Sequence, residues 1–436
     1  MERTAFDDLV CWKNSKHRKP LIIRGVRQVG KTWLIKEFGR REYSQTIYIN
    51  FENSKHLKNL FVEDFDIKRI IAALQIETSL IFNESSTLIV FDEIQEAPKA
   101  ISSLKYFFEN FPQYHIISAG SLLGISVRNN DSFPVGKVDF LDLYPLDFKE
   151  FILASGEQGL ESILNGRDWK LISTFKQKLI SLLRQYYFTG GMPEAVLSYT
   201  QDHDFDEVRR IQERILTGYE YDFSKHAPNS IVPKIRMLWN SIPSQLSKEN
   251  KKFIYGIIKE GSRAKDYENA LLWLIDCGLV HKVSRVSKSA LPLKAYEDIS
   301  SFKLFIVDIG LLCAMANLDK KTILDGNVVF EEFKGSITEQ FVLQQLIREK
   351  AFSVFYWSLE KSAAEVDFLV QLENKIIPIE VKAEENLRSK SLKVYFEKYQ
   401  PETVIRTSLS DYREESWLIN IPIYAINDLA LSVRTK

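Results

Sequence analysis

Apolar positions in this chain gather into short runs that close on glycine, small polar residues or acids. Pro20-Leu21-Ile22-Ile23-Arg24 stops at Gly25, and Thr87-Leu88-Ile89-Val90-Phe91 runs into Asp92-Glu93-Ile94-Gln95. Tyr114-His115-Ile116-Ile117-Ser118-Ala119 ends at Gly120-Ser121, while Ile47-Tyr48-Ile49-Asn50-Phe51 alternates in the manner of a strand. Between the first runs, Trp33-Leu34-Ile35-Lys36-Glu37-Phe38 opens a helical pattern. Strands alternating with helices predict an α/β core with a parallel sheet, its ligand at the carboxyl ends of the strands.

Further along, the pattern changes. Ser132-Phe133-Pro134-Val135-Gly136-Lys137 reads as a loop, and Leu143-Tyr144-Pro145-Leu146-Asp147-Phe148-Lys149-Glu150-Phe151 enters a helix. Gly190-Gly191-Met192-Pro193 breaks the next segment, and a core with its helical lid is expected over residues 1–203. Val232 to Ile242, Phe253 to Lys259 and Tyr267 to Cys277 are amphipathic, and strand-like Leu279-Val280-His281-Lys282-Val283 follows. Helices ahead of a β-ribbon fit a winged helix, expected over residues 204–325, with a third domain over 326–436.

The turn after the first run is Gly25-Val26-Arg27-Gln28-Val29-Gly30-Lys31-Thr32, which satisfies G-x-x-x-x-G-K-[ST] without a mismatch. Strand, glycine loop and helix start bring backbone N–H groups and the positive end of a helix dipole around a polyphosphate. ATP is the expected ligand, bound by Gly25 through Thr32 with Trp33 adjoining; Lys31 meets the β- and γ-phosphates and Thr32 takes a place on Mg²⁺. Asp92 is the second expected Mg²⁺ ligand, and Glu93 the base that prepares a water, a pairing that favours hydrolysis over nucleotide holding. Ser118 or Ser121 is placed to sense a γ-phosphate, or else merely caps the strand. No arginine finger is assignable among Arg128, Arg209, Arg210 and Arg214, and one supplied in trans requires a homo-oligomer.

Composition narrows the class. The 436 residues are 45% hydrophobic and 27% charged, ordinary for a soluble globular chain of two to four domains. Formal net charge is zero, so any footprint for nucleic acid must be local. Residues 245–294 supply one, with ten Lys and Arg against five acids. That excess is either a surface for DNA phosphates or a solvated face or interdomain contact. Cys11, Cys277 and Cys313 are too few and scattered for a disulfide frame and fit a reducing cytosol. Met1-Glu2-Arg3-Thr4 lacks the features of a signal peptide, and the longest apolar stretches are too short to span a bilayer. A cytoplasmic protein without a membrane partner is therefore expected.

A second candidate site lies near the C-terminus. Glu339 sits in the helical pattern Gly335 to Leu343, and Asp367 in the alternating run Glu365-Val366-Asp367-Phe368-Leu369-Val370. Glu380 and Lys382 fall on one face of the strand Ile376 to Ala383, because strand side chains repeat every two residues. A helix Glu, a strand Asp and E-x-K on the next strand resemble the PD-(D/E)-x-K nuclease fold, with Phe355-Tyr356-Trp357 and Val404-Ile405-Arg406 as flanking strands. The expectation is Mg²⁺ on Asp367 and Glu380 with Glu339 as an outer carboxylate, and Lys382 positioning or activating water. Val366 stands where the pattern's name has Pro, and such a site either cleaves DNA or only binds it.

The motifs taken together are similar to one family. G-V-R-Q-V-G-K-T, F-D-E-I-Q, A-G-S-L-L-G, L-Y-P-L-D-F-K-E-F and T-G-G-M-P-E-A-V resemble, in that order, bacterial and archaeal AAA-like ATPases with a C-terminal domain of unknown function. The likeness continues through Leu246-Ser247-Lys248-Glu249-Asn250, Tyr267-Glu268-Asn269-Ala270-Leu271 and Val307-Asp308-Ile309-Gly310-Leu311-Leu312. It implies a AAA-type core, a winged-helix-like middle and a nuclease-like C-terminal fold. The expected function is Mg²⁺-dependent ATP hydrolysis, coupled to DNA or, alternatively, used as a slow conformational switch. A small-molecule kinase is disfavoured by the Asp92-Glu93 pair and by the long remainder of the chain.

Overall fold

A computed structural model describes the chain except for residues 63, 82, 85, 122–132, 249–250, 326–330, 350–352, 360–363, 385–388, 428 and 430–436. Arg128, Ser132, Glu249, Asn250 and the Leu-Leu-Gly end of A-G-S-L-L-G lie outside the described residues. The chain forms two compact units: Glu2–Tyr144 with Asp276–Leu279, and Pro145–Ile275 with Val280–Lys436.

In the first unit, β1 (Leu21–Arg24), β2 (Gln45–Asn50), β3 (Thr87–Asp92), β4 (His115–Ala119) and β5 (Asp139–Asp142) make one sheet, ordered β2-β3-β4-β1-β5. Every pairing is parallel. β3 and β4 are buried throughout, as strands covered on both faces must be, and this explains their unbroken apolar sequences. β2 keeps the alternation of its sequence, burying Ile47 and Ile49 but only half-burying Tyr48. Ile89, Phe91 and Ile116 pack with Phe51, Phe61 and Phe107 on one side of the sheet. The order matters for the site. β1, which leads into the glycine loop, and β3, which ends on the acids, run parallel with β4 between them, so both carboxyl ends open at the same edge.

The second unit is helical up to Ile275, with long helices at Lys176–Thr189, Phe205–His226 and Val232–Leu246. It then builds a sheet from β6 (Val280–Val286), β7 (Glu297–Ile306), β8 (Val354–Ser358), β9 (Glu365–Leu372), β10 (Lys375–Val381), β11 (Ile405–Ser408), β12 (Arg413–Glu414) and β13 (Ile419–Pro422). The order is β12-β13-β11-β10-β9-β8-β6-β7. β6 and β7 form an antiparallel ribbon, and Arg285 and Val286 pair with Tyr356 and Trp357 of β8, so the ribbon continues the C-terminal sheet.

Two polar clasps hold this unit together. Asp308 caps the helix Ile309–Met315 through Leu311 N–H at 3.1 Å and also accepts from Gly191 N–H at 2.6 Å. Gly190 has φ of +72° and approaches so closely that a Cβ would stand 2.1 Å from Asp308 Oδ1, so the Gly-Gly break is a contact only glycine permits. Arg348 joins Glu150 at 2.9 Å and Asp147 at 3.4 Å, all three largely buried. Among the described residues, no helix is long and apolar enough to cross a membrane.

Candidate nucleotide site and C-terminal carboxylate cluster

The glycine loop joins β1 to the helix Lys31–Glu42. Gly25 has φ of +154° and lies so close to Leu143 that a Cβ would meet its carbonyl oxygen at 2.4 Å. Gly30, in a left-handed conformation with φ of 94°, is the residue before the helix. The loop is thus shaped by two glycines, and the first-turn amides of the helix are left for an outside acceptor.

Lys31 is buried, and its ammonium donates to Gly25 O at 2.8 Å and Val26 O at 2.9 Å. Burial pulls its pKa down to about 8, against the pull of Glu93 and Asp92. The neighbouring Thr32 hydroxyl donates to Asp92 Oδ2 at 3.0 Å. That same oxygen accepts from Tyr48 OH on β2, a contact that strand alternation alone did not reveal. Burial and then Asp92 raise the pKa of Tyr48, which keeps the hydroxyl a donor. Asp92 Oδ1 accepts Glu93 N–H at 3.0 Å. Glu93 itself adopts φ of 49°, and Gln95 Nε2 donates to its Oε2 at 2.5 Å.

These residues fit Mg²⁺ and a polyphosphate. A hydroxyl and a carboxylate at one point are hard oxygen donors of the kind Mg²⁺ takes. A lysine held by two neutral carbonyls is free to exchange them for phosphate oxygens. Ser118 is fully buried on β4, and its hydroxyl finds no partner among the described residues; Ser121 follows the strand end. Three of the arginine candidates are engaged within the second unit. Arg209 donates to Leu318 O at 2.6 Å, Arg210 pairs with Glu207 at 2.7 Å, and Arg214 with Glu207 at 3.3 Å.

The C-terminal cluster is built differently. β9 and β10 pair with Phe368 opposite Ile379, and the same register carried one step further sets Asp367 opposite Glu380. Val381 N–H donates to Asp367 Oδ2 at 2.8 Å. Lys382 pairs with Glu380 Oε1 at 2.7 Å, and Glu380 Oε2 has no partner among the described residues. Glu339 arrives from the helix Glu331–Leu346 and is held by two lysines, Lys251 at Oε1 and Lys303 at Oε2, 3.3 Å away. Lys303, on β7, is fully buried; its ammonium lies 2.5 Å from Glu365 Oε1, 4.0 Å from Asp367 Oδ1 and 5.1 Å from the centre of the Tyr356 ring.

Electrostatics follow from this crowding. Burial opposes the charged form of Lys303, but Glu339, Glu365 and Asp367 outweigh it and hold the ammonium above the ordinary lysine value. Burial likewise works to raise Glu339, yet Lys251 and Lys303 bring it down to about 2. Asp367 is pushed well above the carboxylate range by burial, then by Glu339 and Glu380. Among the described residues no three His, Cys, Asp or Glu side chains are arranged to hold a metal ion. Glu339, Asp367 and Glu380, expected from sequence to gather on Mg²⁺, are brought into one cluster, where lysines and a backbone amide face most of their oxygens. Lys303 is the residue sequence reasoning missed. A lysine inside Phe302-Lys303-Leu304-Phe305-Ile306 was a visible signal, because a charge in a buried apolar strand requires partners.

A family profile described as AAA domain matches residues 17–152. This segment is thus similar to AAA domains. Two other profiles, each described only as a domain of unknown function, match residues 180–322 and 334–426. No curated protein matches the chain. Among solved structures, the Walker-type ATPase PABY2304 of Pyrococcus abyssi is 14% identical, over 72% of this chain and 95% of that one, with a TM-score of 0.44. The Orc1 protein of Aeropyrum pernix in complex with DNA is 13% identical, over 72% and 90%, with a TM-score of 0.29. The Hsp104–ADP complex of S. cerevisiae is 11% identical, over 79% and 43%, with a TM-score of 0.28.

Proposed function

We propose that the chain binds and hydrolyses ATP with Mg²⁺ at the glycine loop. The observation that carries this reading is the meeting of Thr32 and Asp92, 3.0 Å apart, beside the buried ammonium of Lys31. The loop amides and the start of the helix Lys31–Glu42 bind phosphate oxygens. Lys31 leaves the carbonyls of Gly25 and Val26 for the phosphates, gaining a charged partner in exchange for two neutral ones. Thr32 and Asp92 hold the Mg²⁺, which when bound neutralises charge on the phosphates. Glu93 orients the attacking water and takes its proton at a carboxylate oxygen.

Turnover with wild type and with Glu93→Gln tests the reading. Loss of hydrolysis with retained ATP binding supports it, and unchanged hydrolysis removes Glu93 from the mechanism. A slow nucleotide switch is the second reading, favoured by the Gln95 bond that restrains Glu93; tight ATP binding with background turnover decides for it.

For the second unit we propose a winged-helix-like middle and a nuclease-like C-terminal sheet, with DNA phosphates as the partner of the basic segment. Support comes from the exposed Lys259, Arg263 and Lys265. Other bases of that segment serve inward, Lys251 binding Glu339 and Arg285 binding Asp298 at 2.7 Å, while Lys294 pairs with Glu297 at the surface. Binding to duplex DNA across a salt series tests this, since phosphate contacts release counterions and weaken steeply with salt.

A further inference from the structure

We infer that Lys303 is the resident cation of the C-terminal carboxylate cluster, facing Glu339, Glu365 and Asp367, so that the cluster is an ion network held by lysine and not a divalent-metal site. The inference stands apart from the ATPase reading, since Lys303 and the glycine loop belong to different units.

The geometry carries it oxygen by oxygen. Glu339 gives one oxygen to Lys251 and the other to Lys303; Glu365 Oε1 faces Lys303; Asp367 has Lys303 at Oδ1 and the Val381 amide at Oδ2; Glu380 Oε1 faces Lys382. One oxygen, Glu380 Oε2, has no partner among the described residues. Mg²⁺ keeps several of its waters and binds through one or two protein carboxylates, and here the Val381 amide stands at Asp367 Oδ2 while ammonium groups face Asp367 Oδ1 and both oxygens of Glu339. Three lysines, Lys251, Lys303 and Lys382, face four acids, Glu339, Glu365, Asp367 and Glu380, so most of the negative charge is matched from within the chain. A divalent ion near Glu339 and Asp367 would lie beside an ammonium that has no solvent exposure.

The position of Lys303 adds a structural consequence. It lies on β7, while its partners come from the helix Glu331–Leu346 and from β9. One side chain therefore ties the ribbon to the C-terminal helix and sheet, gathering carboxylates from separate elements as a metal would. Without it the acids would repel one another in a buried place.

Manganese serves as the probe, in nucleotide-free full-length protein. Free Mn²⁺ is counted by electron paramagnetic resonance during titration of wild type and of Asp367→Asn, and melting temperature is followed with and without Mn²⁺. We expect superimposable isotherms and a wild-type melting temperature that Mn²⁺ does not move through Asp367. A Mn²⁺ ion bound by wild type and lost in Asp367→Asn would overturn the inference. In Lys303→Met we expect a melting temperature lower by ten degrees or more, partly restored by Mn²⁺, because the vacated carboxylates then accept a substitute cation. If that variant melts like wild type, Lys303 is not what holds the cluster. Should it fail to fold, the comparison of wild type with Asp367→Asn still decides.

Discussion

Two buried lysines stand at the two candidate sites, and their surroundings pull them in opposite directions. Lys31 is held by the carbonyls of Gly25 and Val26, with its pKa lowered to about 8 by burial. Lys303 is held by Glu339, Glu365 and Asp367 and is pushed above its ordinary value despite complete burial. A lysine with neutral partners is poised to take an anion, because an anionic ligand improves its situation. A lysine already matched to carboxylates gains nothing from a ligand and leaves its carboxylates little to offer a metal. The glycine loop reads as a working site and the C-terminal cluster as a structural one, although both place lysine and acid together.

Removing each lysine breaks the comparison at its strongest point. Lys303→Met should lower unfolding free energy by about 3–5 kcal/mol, the usual cost of stripping one partner from a buried ion network. Lys31→Met should cost less than that, because the bonds it loses are offset by relief of the burial penalty on an ammonium held by neutral carbonyls. Denaturant midpoints measure both, and equal losses would erase the distinction. Glu93→Gln should reduce turnover about 100-fold while ATP binding, read by calorimetry, stays near wild type.

A smaller effect follows from the titration of Lys31. Its free-site pKa is about 8, and a bound polyphosphate raises it, so binding takes up a proton once the pH exceeds that value. Affinity for ATP should be flat below about pH 8 and then fall by up to about tenfold per pH unit. A flat affinity up to pH 9.5 would mean that Lys31 does not meet the phosphates. The smallest expected change concerns DNA. Lys259→Ala with Lys265→Ala should reduce the salt slope of binding by at most about two units. Lys251→Ala should act through stability, since its ammonium belongs to Glu339.

Much of the first site was legible because local sequence dictates it. Gly25 to Thr32 form a loop whose shape depends on two glycines, and Asp92 and Glu93 end an apolar strand that has to be central in the sheet. Tyr48 and Gln95 were not legible, because their bonds to Asp92 and Glu93 arise from the neighbouring strand and from a turn after the strand. The same limit hid the closure of the C-terminal cluster. Glu339, Asp367, Glu380 and Lys382 fall within one segment of chain, but Lys251 and Lys303 come from well upstream and reach the cluster through tertiary structure alone. The basic excess of residues 245–294 is smaller at the surface than formal charge suggests, because Lys251 and Arg285 pair with Glu339 and Asp298 where little of either side chain is exposed.

The division of labour between the two sites is tested most directly by following ATP hydrolysis and DNA integrity in the same tubes, with Mg²⁺ and either single- or double-stranded DNA. Wild type, Glu93→Gln and Asp367→Asn are compared. We expect hydrolysis in wild type and Asp367→Asn, its loss in Glu93→Gln, and intact DNA with all three. Mg²⁺-dependent cleavage by wild type that disappears in Asp367→Asn, or hydrolysis that survives in Glu93→Gln, would contradict it.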